Sequence, residues 1–443
     1  MAARVVLVVV LAACVPVLAG AQVLERPQRT PAAREETREE ARDWHRATLT
    51  ANTLGSYDDN LTAGQAAFND DVTALSGYTG YADTTLRLDQ GKGSRLFDVS
   101  GRAYVNAFRN AGLTPKYGAD ALAHFAAGTR NRIEFFQGVR NDPYYTIGGF
   151  SGLRQSADYA GSPDDNPLNS SSSRRSWALA SRADFTSQWS PRNQLGLSYV
   201  YDSRDYRDQL GDSRAGAGSF FYKRNLGRLS SLRLTYGYAD SQLLDETGWV
   251  PLQTHAADAG LDLERRFSRS RRMTLSFGGG AIRAFTRERL TRQDVNVWVP
   301  AAYGNMRVDW ARTWGMSADY RRSVNSVQGI SADAFATDAA LVRMGGLVGR
   351  RVELTFSTGY VAGKAPAAGS GSYENYTSTA QMRLELTNTW SAVVGYDHYQ
   401  YELSGIDPIL RQLPTNVQRN AVRVGLTMAL PLAAPREPRT PGK

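Results

Sequence analysis

The feature that most constrains this chain is a two-residue alternation of apolar and polar side chains, repeated in segments of roughly ten residues along most of its length. Val352, Leu354 and Phe356, for example, alternate with Glu353 and Thr355. The same pattern recurs in residues 232–238, 381–386 and 422–430. Because successive side chains of a β-strand point to opposite faces, each segment predicts a strand with one apolar and one polar face.

Short polar turns join these segments into hairpins, and eight such turns can be identified, at residues 91–94, 129–131, 190–193, 225–228, 268–271, 311–313, 346–349 and 387–389. A first strand near 48–56 and a last strand near 419–430 bring the total to about 18, with a range of about 16–18. The connections between hairpins are longer, and the longest covers residues 141–174. An even strand number with short periplasmic turns and long extracellular loops is typical of bacterial transmembrane barrels. We therefore predict an all-β fold, a transmembrane antiparallel up-and-down β-barrel.

A soluble β-sandwich would show the same alternation, so the positions of the aromatic residues are needed to choose between the two folds. Trp189, Trp314 and Trp390 adjoin short turns. Nine tyrosines gather towards the longer connections, namely Tyr199, Tyr201, Tyr236, Tyr238, Tyr320, Tyr360, Tyr396, Tyr399 and Tyr401. Amphipathic rings prefer the two headgroup levels of a bilayer, which favours the membrane barrel. Such a barrel must close, because in lipid every strand amide needs a partner, and its wide interior should hold water unless a loop blocks it.

The first residues predict export. Residues 1–21 read as a signal peptide, with Arg4 before an apolar stretch and an A-x-A site at 19–21. A lipoprotein signal ending at Cys14 is the alternative. Cys14 is the only cysteine, so cleavage at residue 21 would leave no disulfide, thiol nucleophile or cysteine metal site. We assign residues 22–46 to a polar periplasmic segment, 47–430 to the barrel and 431–443 to a Pro-rich periplasmic tail.

The formal net charge of +9 comes largely from short connections such as residues 265–272. A basic chain can bind nucleic acid, but export and the spread of these residues over many turns do not favour that partner. Solvated turns, or contact with the anionic headgroups of outer-membrane lipid and lipopolysaccharide, are the better interpretations. We predict no nucleic-acid partner.

The polar face of the strands carries full charges, often two residues apart. We predict that these residues line the lumen: Arg87, Arg102, Arg182, Asp184, Asp202, Arg204, Arg233, Arg307, Asp309, Asp319, Arg321, Arg383, Glu385 and Arg423. The arginines would favour anionic solutes, but acidic neighbours weaken this selectivity. An equally good interpretation is that the ion pairs brace the inner wall. The longest connection contains four aromatic residues, Tyr144, Tyr145, Phe150 and Tyr159. This loop could fold inward to narrow the channel or stack on sugars at its mouth, or it could be a disordered surface loop.

Motifs for catalysis or metal binding are weak. His45, His124, His255 and His398 show no metal-ligand spacing. A wall-embedded hydrolase would need a serine beside a strand histidine, for which His398 is the candidate. Acidic residues gather in two loops, at Asp202, Asp205, Asp208 and Asp212 and at residues 164–166. They could hold Ca²⁺ or Mg²⁺ that bridges to lipopolysaccharide, or simply be solvated. We predict no enzyme, no metal site and no cofactor.

Two stretches carry a family resemblance, the strand LTANTLGSYDDN at 49–60 and the hairpin TGYADTTLRLDQGKGSRLFDVSGRAYVNAF at 79–108, followed by hairpins over most of the mature chain. On these residues the chain resembles the outer-membrane β-barrel porins associated with exopolysaccharide systems of Gram-negative bacteria. One departure is that the chain continues from Pro431 to Lys443 where many such proteins end on an aromatic residue. The recognition strand would then be internal, or the assembly signal atypical.

The resemblance implies an outer-membrane location and a role in transport, as a diffusion pore or export conduit for small anionic solutes or an anionic polysaccharide. It implies the barrel assembly machinery and polysaccharide export components as partners. Two alternatives stay open. One is a non-conducting attachment barrel whose loops bind surface polysaccharide or cells, and the other is the wall-embedded hydrolase.

Overall fold

The structure is a computed structural model, and it describes residues 44–59, 77–92, 95–108, 112–128, 130–142, 176–206, 212–245, 248–268, 271–287, 294–310, 313–327, 331–365, 371–405 and 416–433. The predicted signal peptide, nearly all of the predicted periplasmic segment and the residues after 433 lie outside these ranges. Within them no helix is long and apolar enough to cross a membrane.

The described residues form eighteen β-strands. The first nine are β1 (Trp44–Asp58), β2 (Gly77–Lys92), β3 (Arg95–Phe108), β4 (Gly112–Ala127), β5 (Asn131–Asp142), β6 (Ser176–Ser190), β7 (Asn193–Tyr206), β8 (Ser213–Asn225) and β9 (Ser230–Asp245). The others are β10 (Gly248–Ser268), β11 (Arg271–Arg287), β12 (Asp294–Asp309), β13 (Gly315–Val327), β14 (Ser331–Val348), β15 (Val352–Lys364), β16 (Ser372–Glu385), β17 (Trp390–Ser404) and β18 (Asn416–Ala433). The sheet extends three residues beyond the predicted barrel at each end, because Trp44 pairs with Gly91 and Ala433 with Ala47.

The strands form one closed antiparallel sheet. Each strand pairs with its neighbours in sequence, and β18 pairs back with β1, for example Leu49 with Leu430 and Tyr57 with Val422. Closure pairs the backbones of the first and last strands along nearly their whole length, so neither terminal strand is left as a free edge. The prediction of an all-β, antiparallel, up-and-down barrel of eighteen strands is confirmed.

The two ends of the barrel differ in their connections. At one end, here called the short-turn end, eight connections of two to five residues join β2 to β3, β4 to β5 and so on to β17. The opposite end, here called the loop end, has the longer connections, although the strands on either side of residues 109–111, 246–247 and 328–330 extend to within two or three residues of each other. At the second of these sites Gly248, with a φ of 118° that favours glycine, pairs with Asp245.

The pairing register divides all eighteen strands into two continuous faces. Among the described residues, every exposed large apolar side chain at a paired strand position lies on the same face, as do Leu86, Phe97, Leu197 and Val424. This face is the convex, outer one, because side chains of the opposite face reach across intervening strands. The guanidinium of Arg233 on β9, for example, lies 4.9 Å from the ring centre of Tyr303 on β12.

Aromatic residues mark both ends of the outer face. Trp189 and Trp390 are exposed near the short-turn end, as predicted. Seven of the nine tyrosines lie on the outer face, but the assignment of Tyr399 and Tyr401 to it is wrong. Even-numbered residues of β17 face outward and odd-numbered residues inward, so these two tyrosines belong to the interior. Three tryptophans that the prediction did not include complete the loop-end belt: Trp177, Trp249 and Trp298.

Candidate functional site

The inner face of the barrel is the candidate site. The register places all fourteen predicted lumen positions on this face, from Arg87 on β2 to Arg423 on β18. Strict alternation predicts the face of a strand residue, and their role in lining a path for solutes stays a prediction. Of Arg102 the structure gives the backbone position but not the side chain.

Ion pairs neutralise a large part of this charge. Arg182 pairs with Asp184 two residues on, and Arg307 Nε donates to Asp309 Oδ1 at 3.3 Å. Other pairs join neighbouring strands: Arg87 with Asp98, and Arg423 with Asp397. Because each of these arginines has a carboxylate beside it, the inner wall carries a mixed field instead of a uniformly positive one.

Other predicted residues have partners that sequence spacing did not indicate. Asp319 accepts a hydrogen bond from Asn305 on β12, and Arg383 Nε donates to Ser391 on β17 at 2.9 Å. Arg233 Nη2 lies 3.8 Å from Asp262 Oδ1 on β10. Asn305 and Asp319 are directly opposite in the register, and the other two pairs are diagonal neighbours on adjacent strands. These partners are therefore set by the register between strands, and not by a spacing of two along one strand.

Exposure distinguishes the two ends of the inner face. Near the short-turn end the side chains of Arg87 and Arg307 are 55% and 63% exposed. Nearer the loop end Arg423 and Asp397 are only 17% and 8% exposed. The charged part of the wall is thus open to water at the short-turn end and enclosed further up.

A tyrosine crosses the inner wall at mid-height. Tyr303 extends from β12 over Gly278 and Gly260 to the guanidinium of Arg233. A Cβ at either glycine would overlap the tyrosine ring. Lys223 Nζ, 2.8 Å from Asp262 Oδ2, completes the charged cluster below the ring. The two glycines therefore form a groove that lets one aromatic ring lie flat against the wall.

The wall itself narrows the lumen at the loop end. The β12–β13 ladder stops at Ala302 and Arg322, although both strands continue beyond it. Here the ends of β13 and β14, residues 323–327 and 331–336 and together called the β13–β14 tip, turn inward. Val324 and Ala334, 6% and 3% exposed, pack against the inner-face residues Leu252, Ile282, Ala284 and Val299. The tip thus overlaps β10–β12 from the inside.

The other side of the tip is also packed. Phe335 is fully buried, and its ring centre lies 5.3 Å from that of Tyr373 on β16. Thr337 Oγ1 and the Tyr373 hydroxyl are 3.1 Å apart. Tyr401 and Leu403 are buried on the same inner surface. Around the tip, the inner wall at the loop end is therefore apolar and packed, and the ends of two wall strands narrow the lumen there.

The predicted loop candidates, Tyr144, Tyr145, Phe150 and Tyr159, lie outside the described residues, as do Asp208 and residues 164–166. Asp202 faces inward and Asp205 outward, so these two do not converge on one cation. Asp212 accepts a hydrogen bond from the backbone amide of Tyr206 at 2.6 Å. Within the described ranges no group of three or more His, Cys, Asp or Glu could hold a metal ion.

The histidine proposed for a wall-embedded hydrolase lies on the outer face. Register places Ser378 directly opposite His398. However, the Ser378 hydroxyl bonds to the hydroxyls of Tyr376 and Thr358, at 2.8 and 3.0 Å. His398 Nδ1 lies 2.7 Å from Asn420 Oδ1. A serine and a histidine are thus near each other, but the serine hydroxyl is engaged by neighbours other than the histidine.

Comparisons with known proteins show fold likeness only. No family model and no curated protein matches the chain. It is similar to the solved structure of Pseudomonas aeruginosa OpdO, at 15% identity over 88% of this chain and 98% of that one, with a TM-score of 0.43. It is similar to the outer membrane protein OpdK of the same organism, at 10% identity over 87% of this chain and 99% of that one, with a TM-score of 0.44. It is also similar to Acinetobacter baumannii OccAB3, at 11% identity over 88% of this chain and 99% of that one, with a TM-score of 0.41. At these identities and TM-scores the likeness assigns neither a family nor a function to this chain.

Proposed function

We propose that the protein is an outer-membrane pore for small solutes in a Gram-negative bacterium. The observation that carries the proposal is the division of one closed sheet into an exposed apolar outer face and a charged inner face. In water the outer face would expose far more contiguous apolar surface than a soluble protein tolerates. In lipid the same face is fully solvated, and closure between the first and last strands leaves neither of them as an unpaired edge.

Small solutes fit the interior better than a polymer. The hydrated, charged wall near the short-turn end supports entry of ions and polar molecules, with a weak preference for anions because most inner arginines have acidic neighbours. The β13–β14 tip narrows the opposite half of the lumen. Export of an anionic polysaccharide would need that packing to open. Under this proposal the protein is a channel, not an enzyme, and its partners are outer-membrane lipid, lipopolysaccharide and the barrel assembly machinery.

One observation favours a second candidate, a non-conducting barrel that attaches polysaccharide or cells through its loops. Phe335, Tyr373, Tyr401 and Leu403 are all buried on the inner face at the loop end. If this packing seals the lumen, no solute passes. Polysaccharide export components would be partners of the protein if it were this attachment barrel, and also if it were an export conduit.

Single-channel recording decides between the two candidates. The protein, refolded in detergent and shown to be folded by heat-modifiable migration on a gel, is inserted into planar bilayers. We expect discrete conductance steps with an anion-to-cation permeability ratio of about one to three, since charge rings in wide pores select weakly. Folded protein that inserts without any steps would refute the pore and favour the attachment barrel.

A further inference from the structure

A polar and aromatic row crosses the outer face of β9–β12. Register places Tyr238 opposite His255, His255 opposite Arg283, and Arg283 opposite Trp298, so the four residues lie side by side on adjacent strands. Rings surround the cation. The Arg283 guanidinium lies 4.5 Å from the ring centre of Phe285 and 5.5 Å from that of Trp298.

This row lies at the loop-end boundary of the apolar band. Below it the outer face of β10 and β11 carries only small or apolar residues: Ala257, Ala259, Leu261 and Leu263 on β10, and Leu275, Phe277, Gly279 and Ala281 on β11. His255 is eight residues from Leu263, which corresponds to about 27 Å along the strand and about 20 Å across a membrane for a tilted strand. Arg265, the next outer-face residue of β10 below Leu263, is ten residues from His255, or about 25 Å across the membrane by the same conversion. The apolar band of a membrane barrel is about 25 Å tall, so Arg265 and Arg283 lie at its two edges and Arg283 is at headgroup level.

Arg283 has no anionic neighbour in the described part of the protein. Its Nε donates to the amide oxygen of Asn296 at 3.2 Å, and within the described ranges no carboxylate lies at ion-pair distance from it. Nearby outer-face arginines do have one: Arg287 pairs with Asp294 at 3.3 Å, and Arg322 with Asp338 at 3.9 Å. A half-buried cation facing a membrane favours an anionic partner, and the described residues supply none to Arg283.

The neighbouring histidine adds a donor. His255 Nδ1 is 2.9 Å from the hydroxyl of Tyr236. When that hydroxyl donates to Nδ1, the ring proton is on Nε2, which is then free to donate outward. Arg283 and His255 together present a charged fork and a second N–H donor, the groups that recognise phosphate oxygens.

We infer that Arg283 and His255, framed by Trp298 and Tyr238, bind a phosphate of the phosphorylated glycolipid in the outer membrane leaflet. The inference rests on the proposed membrane location, with the loop end outward. Charge complementarity identifies the phosphate. The exposed Trp298 ring, 65% accessible, offers an apolar surface for the sugar beside it.

The test compares glycolipids that differ only in phosphate. Folded protein in neutral detergent micelles is titrated with diphosphorylated lipid A or with its dephosphorylated form, and binding is measured by native mass spectrometry. We expect wild type to bind the phosphorylated form about tenfold more tightly, which Arg283→Gln abolishes, since a charge-assisted hydrogen bond contributes roughly this much. His255→Gln should lose about two- to fivefold, as expected for a single neutral donor.

Arg265→Gln is the matched control. Arg265 is also on the outer face with its guanidinium over a ring, 4.9 Å from the centre of Phe267, but at the short-turn end. It should leave lipid A binding unchanged. Equal binding of both glycolipids by folded wild type, or an equal effect of Arg265→Gln and Arg283→Gln, would overturn the inference. Neither result would affect the proposed pore. Equal affinity for phosphatidylglycerol, or displacement by inorganic phosphate at micromolar concentration, would likewise reject a glycolipid site. Protein that is water-soluble without detergent would remove the proposed pore as well.

Discussion

Single small residues decide where the inner wall can carry a large ring. Tyr303 reaches Arg233 only because the two strands between them present glycine, at 278 and 260, under the ring. A Cβ at position 278 would also lie 2.5 Å from the carbonyl oxygen of Ala259. The neighbour that would have to move is therefore backbone as well as side chain.

Gly278→Ala should destabilise the barrel by about 1–3 kcal/mol, because overpacking displaces both the tyrosine and the sheet. The measurement is the temperature or denaturant midpoint of the heat-modifiable transition. Gly304→Ala is the control: it lies one position from Tyr303 on the outer side of β12, and a Cβ added there would have nothing within 4 Å. A midpoint for Gly278→Ala that equals that of Gly304→Ala would contradict this account.

At the residue scale the sequence located the charged positions but not their partners. All fourteen predicted residues face inward because strict alternation fixes the face of a strand residue. Partners depend on the stagger between strands, so the pairing of Arg383 with Ser391 could not be read from a single segment. The prediction for Tyr399 and Tyr401 was wrong for a related reason. Their aromatic rings suggested an aromatic belt on the outer face, but odd-numbered residues of β17 face the interior.

Among the elements, the β13–β14 hairpin differs most from its neighbours. The β12–β13 ladder contains eight residue pairs, against sixteen between β11 and β12. Freed from β12, the tip buries Val324 and Ala334 on the inside of the barrel. Its alternation resembles that of every other strand, so the sequence predicted two wall strands and could not show that their ends leave the wall.

The tip should limit conductance. Val324→Asp together with Ala334→Asp buries two unpaired carboxylates against Leu252 and Ile282, which the packing cannot accommodate, so the tip is expected to detach and the channel to widen. Single-channel conductance should rise about twofold or more, given the area that a hairpin occupies in a lumen of this strand number. Ala217→Asp, on the inner face of β8 away from the tip, is the control and should change conductance little. Unchanged conductance in the double variant would show that the tip is not the constriction.

Turn positions were the best-predicted elements, because Gly, Asn, Ser and charged residues interrupt the alternation there. The turn assigned to residues 346–349 is the exception. β14 continues to Val348, and the turn begins at Gly349, whose φ of 70° favours glycine. Gly346 instead lies under the ring of Trp314, where a Cβ would not fit. A glycine required for close packing was therefore taken as part of a turn.

For the molecule as a whole, everything depends on closure between the first and last strands. β18 pairs with β1 from Ala433 opposite Ala47 to Ala421 opposite Asp58, so the closing seam uses nearly the full length of both. No other described strand could replace it, since each of the remaining sixteen already has two neighbours. Without the seam, two rows of unpaired N–H and C=O groups would face lipid, at a cost of several kcal/mol per group.

Truncation tests this seam and the role of the residues after it. A chain ending at Ala433 keeps every β1–β18 pair, so it should fold into a heat-modifiable barrel and conduct as the full chain does. A chain ending at Ala421 loses Val422, Val424 and Leu426 from the outer face along with most of the seam, and should give no heat-modifiable species. Both truncated chains are refolded into detergent micelles under the same conditions. Their migration on a gel, with and without heating, then shows whether each has folded. If the shorter chain also folded, closure through β18 would be dispensable; if the longer one failed, residues 434–443 would hold a signal that the register does not reveal.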